Sequence, residues 1–332
     1  MEKSITKRSN EEVLKQVNEY KSFYDTDGKE TTTKRKDNYT DLVVDYYSLA
    51  TDFYEYGWGR SFHFANRFKG ETLQESIQRH ESYLALRLNL KAGQKVLDIG
   101  CGIGGPLRRI ANLSGGHITG LTISNYQIQR AKAIGIPANC SFVQGDFMKI
   151  PFEDSTFDHT YVIEAVCHAP DKAKCFSEVF RILKPGGYFI GYDWCLTDSF
   201  DQQNPQHIET KKLIEEGNAL PELRTMKELV SDLRSVGFMI EEADILKSEV
   251  LWYLPLKGES ILSINGFRSS NIGRWLTKNS VWLMEKSGFA AKGSLDTLGV
   301  LEKAAQGLIR GGESEIFTPY FFFLAQRPHQ KA

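Results

Sequence analysis

The sequence predicts an α/β fold: a seven-stranded, mostly parallel sheet between helices, with a helical arm before it and a helical insertion ahead of the last strand. Three observations predict it. Short β-branched, apolar runs alternate with helix-compatible segments through the middle of the chain. A glycine-rich turn, GCGIGG at 100–105, joins the first of those runs to the first of those helices. An apolar run near the C-terminus, Phe317 to Ala325, follows the pair Gly311-Gly312 and reads as a buried closing strand.

Taken in order, residues 1–40 are polar and charged, with the run GKETTTKRKDN at 28–38, and read as a loosely ordered arm with a short helix near Glu12–Tyr20. Residues 41–93 form an aromatic-rich segment. The core runs from 94 to 249. Its strands are Lys95–Ile99, His117–Thr122, Ser141–Val143, Phe157–Ile163 and Tyr188–Trp194, and its helices are Pro106–Leu113, Tyr126–Ala133 and Ala173–Leu183. Parallel neighbours need crossover connections, and helices of this length supply them. A helix over Met226–Val236, ended by Gly237, and a strand over Met239–Leu246 follow. Residues 250–312, with Trp252, Trp275 and Trp282, read as a mainly helical lid for an apolar ligand or as a subunit interface. The final strand and tail occupy 313–332.

Composition excludes several classes. A formal net charge of -1 gives no electrostatic reason for a nucleic-acid partner. The five cysteines form no C-x-x-C pair and read as reduced thiols of a protein facing the cytosol. The N-terminus lacks the apolar run of a signal peptide. No stretch of ~18 apolar residues is present, so no segment is expected to span a membrane.

The glycine turn carries the chemistry. Gly100 and Gly102 allow a tight turn and the approach of a ligand to bare backbone, and Gly104 or Gly105 lets the next helix pack against the strand. Gly100, Gly102 and Gly105 satisfy the dinucleotide pattern G-x-G-x-x-G, but such enzymes place an acid about 20 residues on, at the end of the second strand. That strand ends Gly120-Leu121-Thr122. The acid here is Asp98, before the turn, where it would repel a pyrophosphate and suit a cation. Gly100, Gly102 and Gly104 also fit the G-x-G-x-G of methyltransferases, and the turn resembles theirs; the resemblance implies the sulfonium cofactor S-adenosylmethionine. Asp146 after the third strand is placed to accept the adenine amino group, with Phe147 backing the ring, and Leu183-Lys184-Pro185-Gly186-Gly187 is the usual turn into the fifth strand.

From about Tyr46 to Pro328 the chain resembles the sterol 24-C-methyltransferases, within the Rossmann-like class I methyltransferases. The most specific stretch is YEYGWGRSFHF at 54–64, supported by VLDIGCGIGGP, GDFMKIPF, IEAVCHAP and GGESEIFTP. The resemblance implies methylation of carbon 24 of a sterol side chain, with S-adenosylmethionine and no metal. It also implies peripheral contact with a membrane such as the endoplasmic reticulum, from its cytoplasmic face, and a homo-oligomer is expected. Asp193 departs from the Glu more usual in the family, and Ala131 to Cys140 leaves little room for a full helix end. GLTIS at 120–124 is similar to cyclopropane synthases, which implies cofactor contacts from Thr122 and Gln127.

The reaction class needs alignment, a dry pocket, protection of a transient cation and removal of a proton. Residues 46–68 hold nine aromatics in 23 positions: Tyr46, Tyr47, Phe53, Tyr54, Tyr56, Trp58, Phe62, Phe64 and Phe68. Their faces suit a cation and a flat sterol; each alone also reads as a packing residue. The predicted catalytic set is Glu164, His168, Tyr54, Glu55 and His63. Glu164 and His168 follow the fourth strand and share a face if that turn is helical. His63 anchors the sterol hydroxyl or packs. The predicted cofactor contacts are Asp98, Gly100, Cys101, Gly102, Gly104, Thr122, Gln127, Asp146, Phe147 and Glu164, with no metal ligands. Two other readings fit the same residues: methylation of another prenyl-derived lipid, such as a tocopherol or a linear triterpene, and a sterol-binding protein without catalysis.

Overall fold

The computed structural model describes residues 15, 17–20, 22–24, 29–257, 271–289 and 293–329. The chain divides into two units, one holding Tyr54–Asp198, Leu223–Glu249 and Thr318–Ala332, the other Met1–Phe53, Ser199–Glu222 and Val250–Phe317.

The first unit is built on β1 (Lys95–Ile99), β2 (His117–Thr122), β3 (Cys140–Gln144), β4 (Phe157–Ile163), β5 (Leu183–Leu196), β6 (Met239–Ile245) and β7 (Phe317–Gln326), in the order β3-β2-β1-β4-β5-β7-β6. The β3–β2, β2–β1, β1–β4 and β4–β5 pairs are parallel, and β7 is antiparallel to β6. This is the predicted fold. Val96, Leu97 and Ile99 of β1 are fully buried, as expected of a strand covered on both faces. β7 is buried along its length, from Phe317 to Ala325, because β5 and β6 flank it. Its Pro319 is tolerated because the residues paired with β6 begin two positions later, at Phe321.

The predicted crossover helices appear at Gly105–Ser114, Asn125–Ile134 and Lys172–Ile182, and the predicted later helix at Met226–Ser235. Numbered along the chain, with α1 (Lys29–Asp37), α2 (Tyr39–Trp58) and α3 (Leu73–Arg87) preceding them, they are α4, α5, α6 and α8, and Pro205–Gly217 is α7. The last three are α9 (Leu254–Lys257), α10 (Asn271–Lys286) and α11 (Ser294–Glu313). α5 completes its end within the short Ala131–Cys140 stretch because Gly135 closes it at once. The Leu183–Gly187 segment is not a turn before β5 but its irregular start: the β4–β5 register shifts between Phe157 and His159, with Gly186 at φ 81°. α2, α3 and α7 were not expected from the sequence. α3 has the signal, a capping box in which Thr72 and Glu75 satisfy each other's backbone N–H groups.

In the second unit α7 and α11 lie close together because glycines line the contact. A Cβ at Gly217 would stand 2.3 Å from the Ala304 backbone, and one at Gly307 would stand 2.8 Å from the Ile214 backbone. The arm needs correction. Residues 29–37, read as loosely ordered, form α1, and residues 15 and 17–20 are helical as expected. The physical reason is Arg35. Its buried guanidinium donates to the Pro221 carbonyl at 3.1 Å and pairs with the buried Glu215 carboxylate at 3.4 Å, so an otherwise polar segment is held. The described part of the insertion 250–312 is mainly helical, as expected. A cavity of about 580 Å³ in this unit touches Tyr20, Tyr24, Lys278 and Leu295, and none of the predicted site residues lines it. Among the described residues, no helix is long and apolar enough to cross a membrane.

Candidate active site

The strand order reverses between β1 and β4, which opens a crevice beyond their carboxyl ends. The glycine turn follows β1 there. Gly100 and Cys101 both donate their N–H groups to the Leu121 carbonyl, at 2.9 and 3.0 Å, which ties the turn to β2. Gly100 has φ 72°, and a Cβ on it would lie 2.3 Å from the Ala165 Cβ. Gly102 has φ 54°, yet the nearest atom to a Cβ there is Phe62 Cδ2 at 3.9 Å. The first glycine is needed for packing, and at the second a Cβ would stand no closer than ordinary contact with Phe62, so the bare backbone there is not required by packing. Gly104 and Gly105 serve packing: a Cβ would meet Phe142 at 2.4 Å in one case and the Arg60 carbonyl at 2.2 Å in the other.

Asp98 is buried, and its Oδ2 accepts a hydrogen bond from the Tyr161 hydroxyl at 2.8 Å. Burial pushes its pKa up to about 7, against the Tyr161 bond, which lowers it. Thr122, at the end of β2, donates its hydroxyl to Gln127 Oε1 at 2.6 Å, and both side chains are buried. That leaves the Gln127 NH2 as the donor of the pair. One oxygen of Asp146 accepts the Met148 N–H at 2.7 Å, which fixes the side chain, and Phe147 beside it is half-buried.

Glu164 follows β4 with φ 51°, an uncommon conformation for a non-glycine residue. Its Oε1 accepts the Phe64 N–H and its Oε2 the Trp194 indole N–H, each at 2.7 Å. Burial pushes its pKa up to about 8, opposed by the charge of His63 and by these two donors. Because Glu164 is left-handed and the next turn, Val166–His168, is a single 3₁₀ turn, Glu164 and His168 do not share a helical face as expected. His168 is buried at the end of that turn.

The other candidates separate. Glu55, one of the candidate bases, is held by a two-pronged bond from Arg130, at 2.6 and 2.7 Å. His63 is buried against Glu81. Tyr54 and Phe62 are neighbours, ring centroids 5.7 Å apart, and Phe62 reaches the space over Gly102. Tyr46 and Phe64 are core residues, and Phe68 carries the Arg79 guanidinium over its ring at 4.4 Å. The side chains of Phe53, Tyr56 and Trp58 lie outside the described residues.

Sequence reasoning missed Glu81, Arg109 and Trp194. Glu81 is nearly fully buried and takes hydrogen bonds or ion pairs from Ser61, His63 and Arg109. No local pattern marks it, because those partners stand 18 to 28 positions away. Asp193, noted only as a departure, is buried at the carboxyl end of β5. Its Oδ1 accepts the Cys167 N–H at 3.0 Å, and its Oδ2 has no hydrogen-bond partner among the described residues. Burial pushes its pKa up to about 6, against the charge of Lys172.

An antiparallel β7 set between β5 and β6, with an acid near the end of β1 and a glycine turn after it, defines a Rossmann-like methyltransferase. A family model described as a methyltransferase domain matches residues 97–191, and one described as the C-terminal region of sterol methyltransferases matches residues 264–329. A cyclopropane synthase from Mycobacterium tuberculosis shares the fold with a TM-score of 0.66 at 17% identity, over 86% of this chain and 98% of that one. The cycloartenol-C-24-methyltransferase of Arabidopsis thaliana is 50% identical over 323 residues, 96% of each chain. The sterol 24-C-methyltransferase of Saccharomyces cerevisiae is 42% identical over 313 residues, 90% of this chain and 82% of that one. This chain belongs to the sterol 24-C-methyltransferase family.

The residues fit the cofactor of that family. Gly102 offers bare backbone with Phe62 no nearer than ordinary contact, and Asp98 and Glu164 are buried acids suited to a cation.

Proposed function

We propose that this enzyme transfers a methyl group from S-adenosylmethionine to carbon 24 of a sterol side-chain alkene. The observation that carries the reading is the meeting, at one crevice, of the open Gly102 backbone, the Phe62–Tyr54 ring pair and the buried Asp98. Bound S-adenosylmethionine supplies an electrophilic methyl on a sulfonium. The chain's own residues do the rest. Gly100, Cys101, Gly102 and Gly104 shape the cradle. Asp98 and Glu164 set negative charge against a cation, Thr122 and Gln127 address the ribose, and Asp146 with Phe147 addresses the base. Tyr54 and Phe62 offer π faces to the positive charge that develops on the alkene. A water-poor crevice strengthens each of these interactions.

Incubation with methyl-labelled S-adenosylmethionine and a panel of sterols and prenylquinols, read by mass spectrometry, tests this. Label at carbon 24 of a sterol with a 24-double bond is expected. Label only in a prenylquinol, or sterol binding with no product, would overturn it.

Peripheral membrane contact, from the cytoplasmic face of a membrane such as the endoplasmic reticulum, belongs to the same proposal. On α10, Trp275, Leu276, Trp282 and Leu283 are exposed at seven-residue spacings, beside exposed Lys278 and Lys286, and Phe289 beyond it is 77% exposed. Glu285 is turned inward to the Gly293 and Leu295 N–H groups. Aromatic and basic residues on one helix suit an anionic lipid surface. The double variant Trp275→Ser/Trp282→Ser should lose flotation with anionic vesicles. Unchanged flotation, with loss of a homo-oligomer instead, would assign the face to a second copy. For the insertion 250–312 we propose a covering role over the sterol. Slower amide exchange in α10 and α11 on sterol addition would support it, and unchanged exchange would refute it.

A further inference from the structure

His63 sits between two acceptors. Its Nδ1 lies 2.6 Å from the Phe64 carbonyl oxygen and its Nε2 3.2 Å from Glu81 Oε1. A carbonyl oxygen cannot donate, so Nδ1 must carry a proton. Glu81 Oε1 already accepts the Ser61 hydroxyl at 2.5 Å, and its Oε2 is paired with Arg109 at 2.9 Å, so the group is a carboxylate and Nε2 must donate as well. Both ring nitrogens protonated means an imidazolium. The ring is buried, where an unpaired cation would be costly, and Glu81 supplies the pairing charge.

The next bond reaches the active site. Phe64 accepts from His63 through its carbonyl and donates its N–H to Glu164 Oε1 at 2.7 Å. We propose that Glu81 is a positioning residue for methyl transfer: it holds His63 as a buried imidazolium, and that cation favours the ionised form of Glu164, the form that accepts the Phe64 and Trp194 N–H groups. This revises the expectation that His63 anchors a sterol hydroxyl. It rests on the crevice being the methyl-transfer site.

The charged neighbours agree. Facing His63 are Glu81 and His80 of α3, Asp98 of β1, Glu164 after β4 and, through Glu81, Arg109 of α4. Burial pulls His63 downward, but the Glu81 hydrogen bond and the charges of Glu81 and Glu164 outweigh it and leave the pKa above the ordinary imidazole value. His80, stacked on it with centroids 5.6 Å apart, is driven well below its ordinary value, first by burial and then by the His63 charge. One ring of the stack is therefore charged and the other neutral.

Two measurements test this. In the full-length protein with 15N-labelled histidine, the His63 resonances, assigned by difference against His63→Gln, should show both nitrogens protonated at pH 7. A neutral ring at pH 7 would overturn the proposal whatever the enzyme's activity. In kinetics, Glu81→Gln should lower kcat more than it raises the sterol KM. It should also move the acid limb of kcat/KM upward by about one pH unit, the low end of what a neighbouring opposite charge does to a carboxylate. Glu81→Asp should restore most of the profile. An unshifted limb in a folded Glu81→Gln enzyme, or a loss of activity in step with melting temperature, would mean that the network is structural only.

Discussion

Two alanine substitutions two positions apart, at Gly100 and Gly102, should separate folding from cofactor binding. Gly100 and Gly102 both hold left-handed backbone, φ 72° and 54°, which costs a residue with a Cβ about 1–2 kcal/mol. Only at Gly100 does the methyl collide, 2.3 Å from the Ala165 Cβ, adding about 1–3 kcal/mol of overpacking. Gly100→Ala is thus expected to cost about 2–5 kcal/mol and Gly102→Ala about 1–2 kcal/mol. At Gly102 the methyl points into space whose nearest occupant is 3.9 Å away, where the ligand is expected. The assay is thermal melting with and without S-adenosylhomocysteine. At about 100 Kd a ligand adds about 2.7 kcal/mol, and a hundredfold weaker Kd reduces that to about 0.4 kcal/mol. Gly102→Ala should therefore fold, melt a few degrees early and lose most of its ligand-induced stabilisation. A Gly102→Ala protein that keeps the full shift would place the cofactor elsewhere. A Gly100→Ala protein as stable as wild type would refute the packing argument.

Asp98→Ala should remain folded and lose S-adenosylhomocysteine binding by calorimetry, since it removes the buried acid before the turn. Tyr54→Leu should cut turnover by tenfold or more, because a desolvated cation–π contact is worth ~2 kcal/mol and 1.36 kcal/mol is about tenfold in rate; Tyr54→Phe should be mild if the ring acts and match Leu if the hydroxyl does. Arg130→Ala should cost about 1–2 kcal/mol in denaturant melts and lower turnover, since it releases Glu55 beside Tyr54. The ligand-free protein should lose stability as pH rises from about 4 to about 8, by circular dichroism. Asp98, Glu164 and Asp193 are raised to about 7, 8 and 6, so the folded state binds more protons than the unfolded in that window, and their contribution is lost as pH passes the folded values. Rising stability across that window would contradict it.

What the sequence determined by itself was whatever depends on neighbours along the chain. β1, β2 and β4 were legible to the residue, because an apolar run ending in a glycine or a polar residue defines a short strand locally. The glycine turn and Asp98 were legible for the same reason. The tertiary structure decided what depends on distant partners. α1 is ordered because Arg35 finds Glu215, 180 positions away, and no reading of a charged run supplies that carboxylate. Glu55 is engaged because Arg130 stands opposite it, 75 positions on. Glu164 was legible as a site residue, but its aim comes from Phe64 and Trp194, 100 and 30 positions away. Glu81 carried no local signal, and only burial among Ser61, His63 and Arg109 shows its place. Local steric and apolar preferences act over a few residues and write themselves into sequence. A buried charge is tolerable only beside a partner, and which partner arrives is settled by how the chain returns through space.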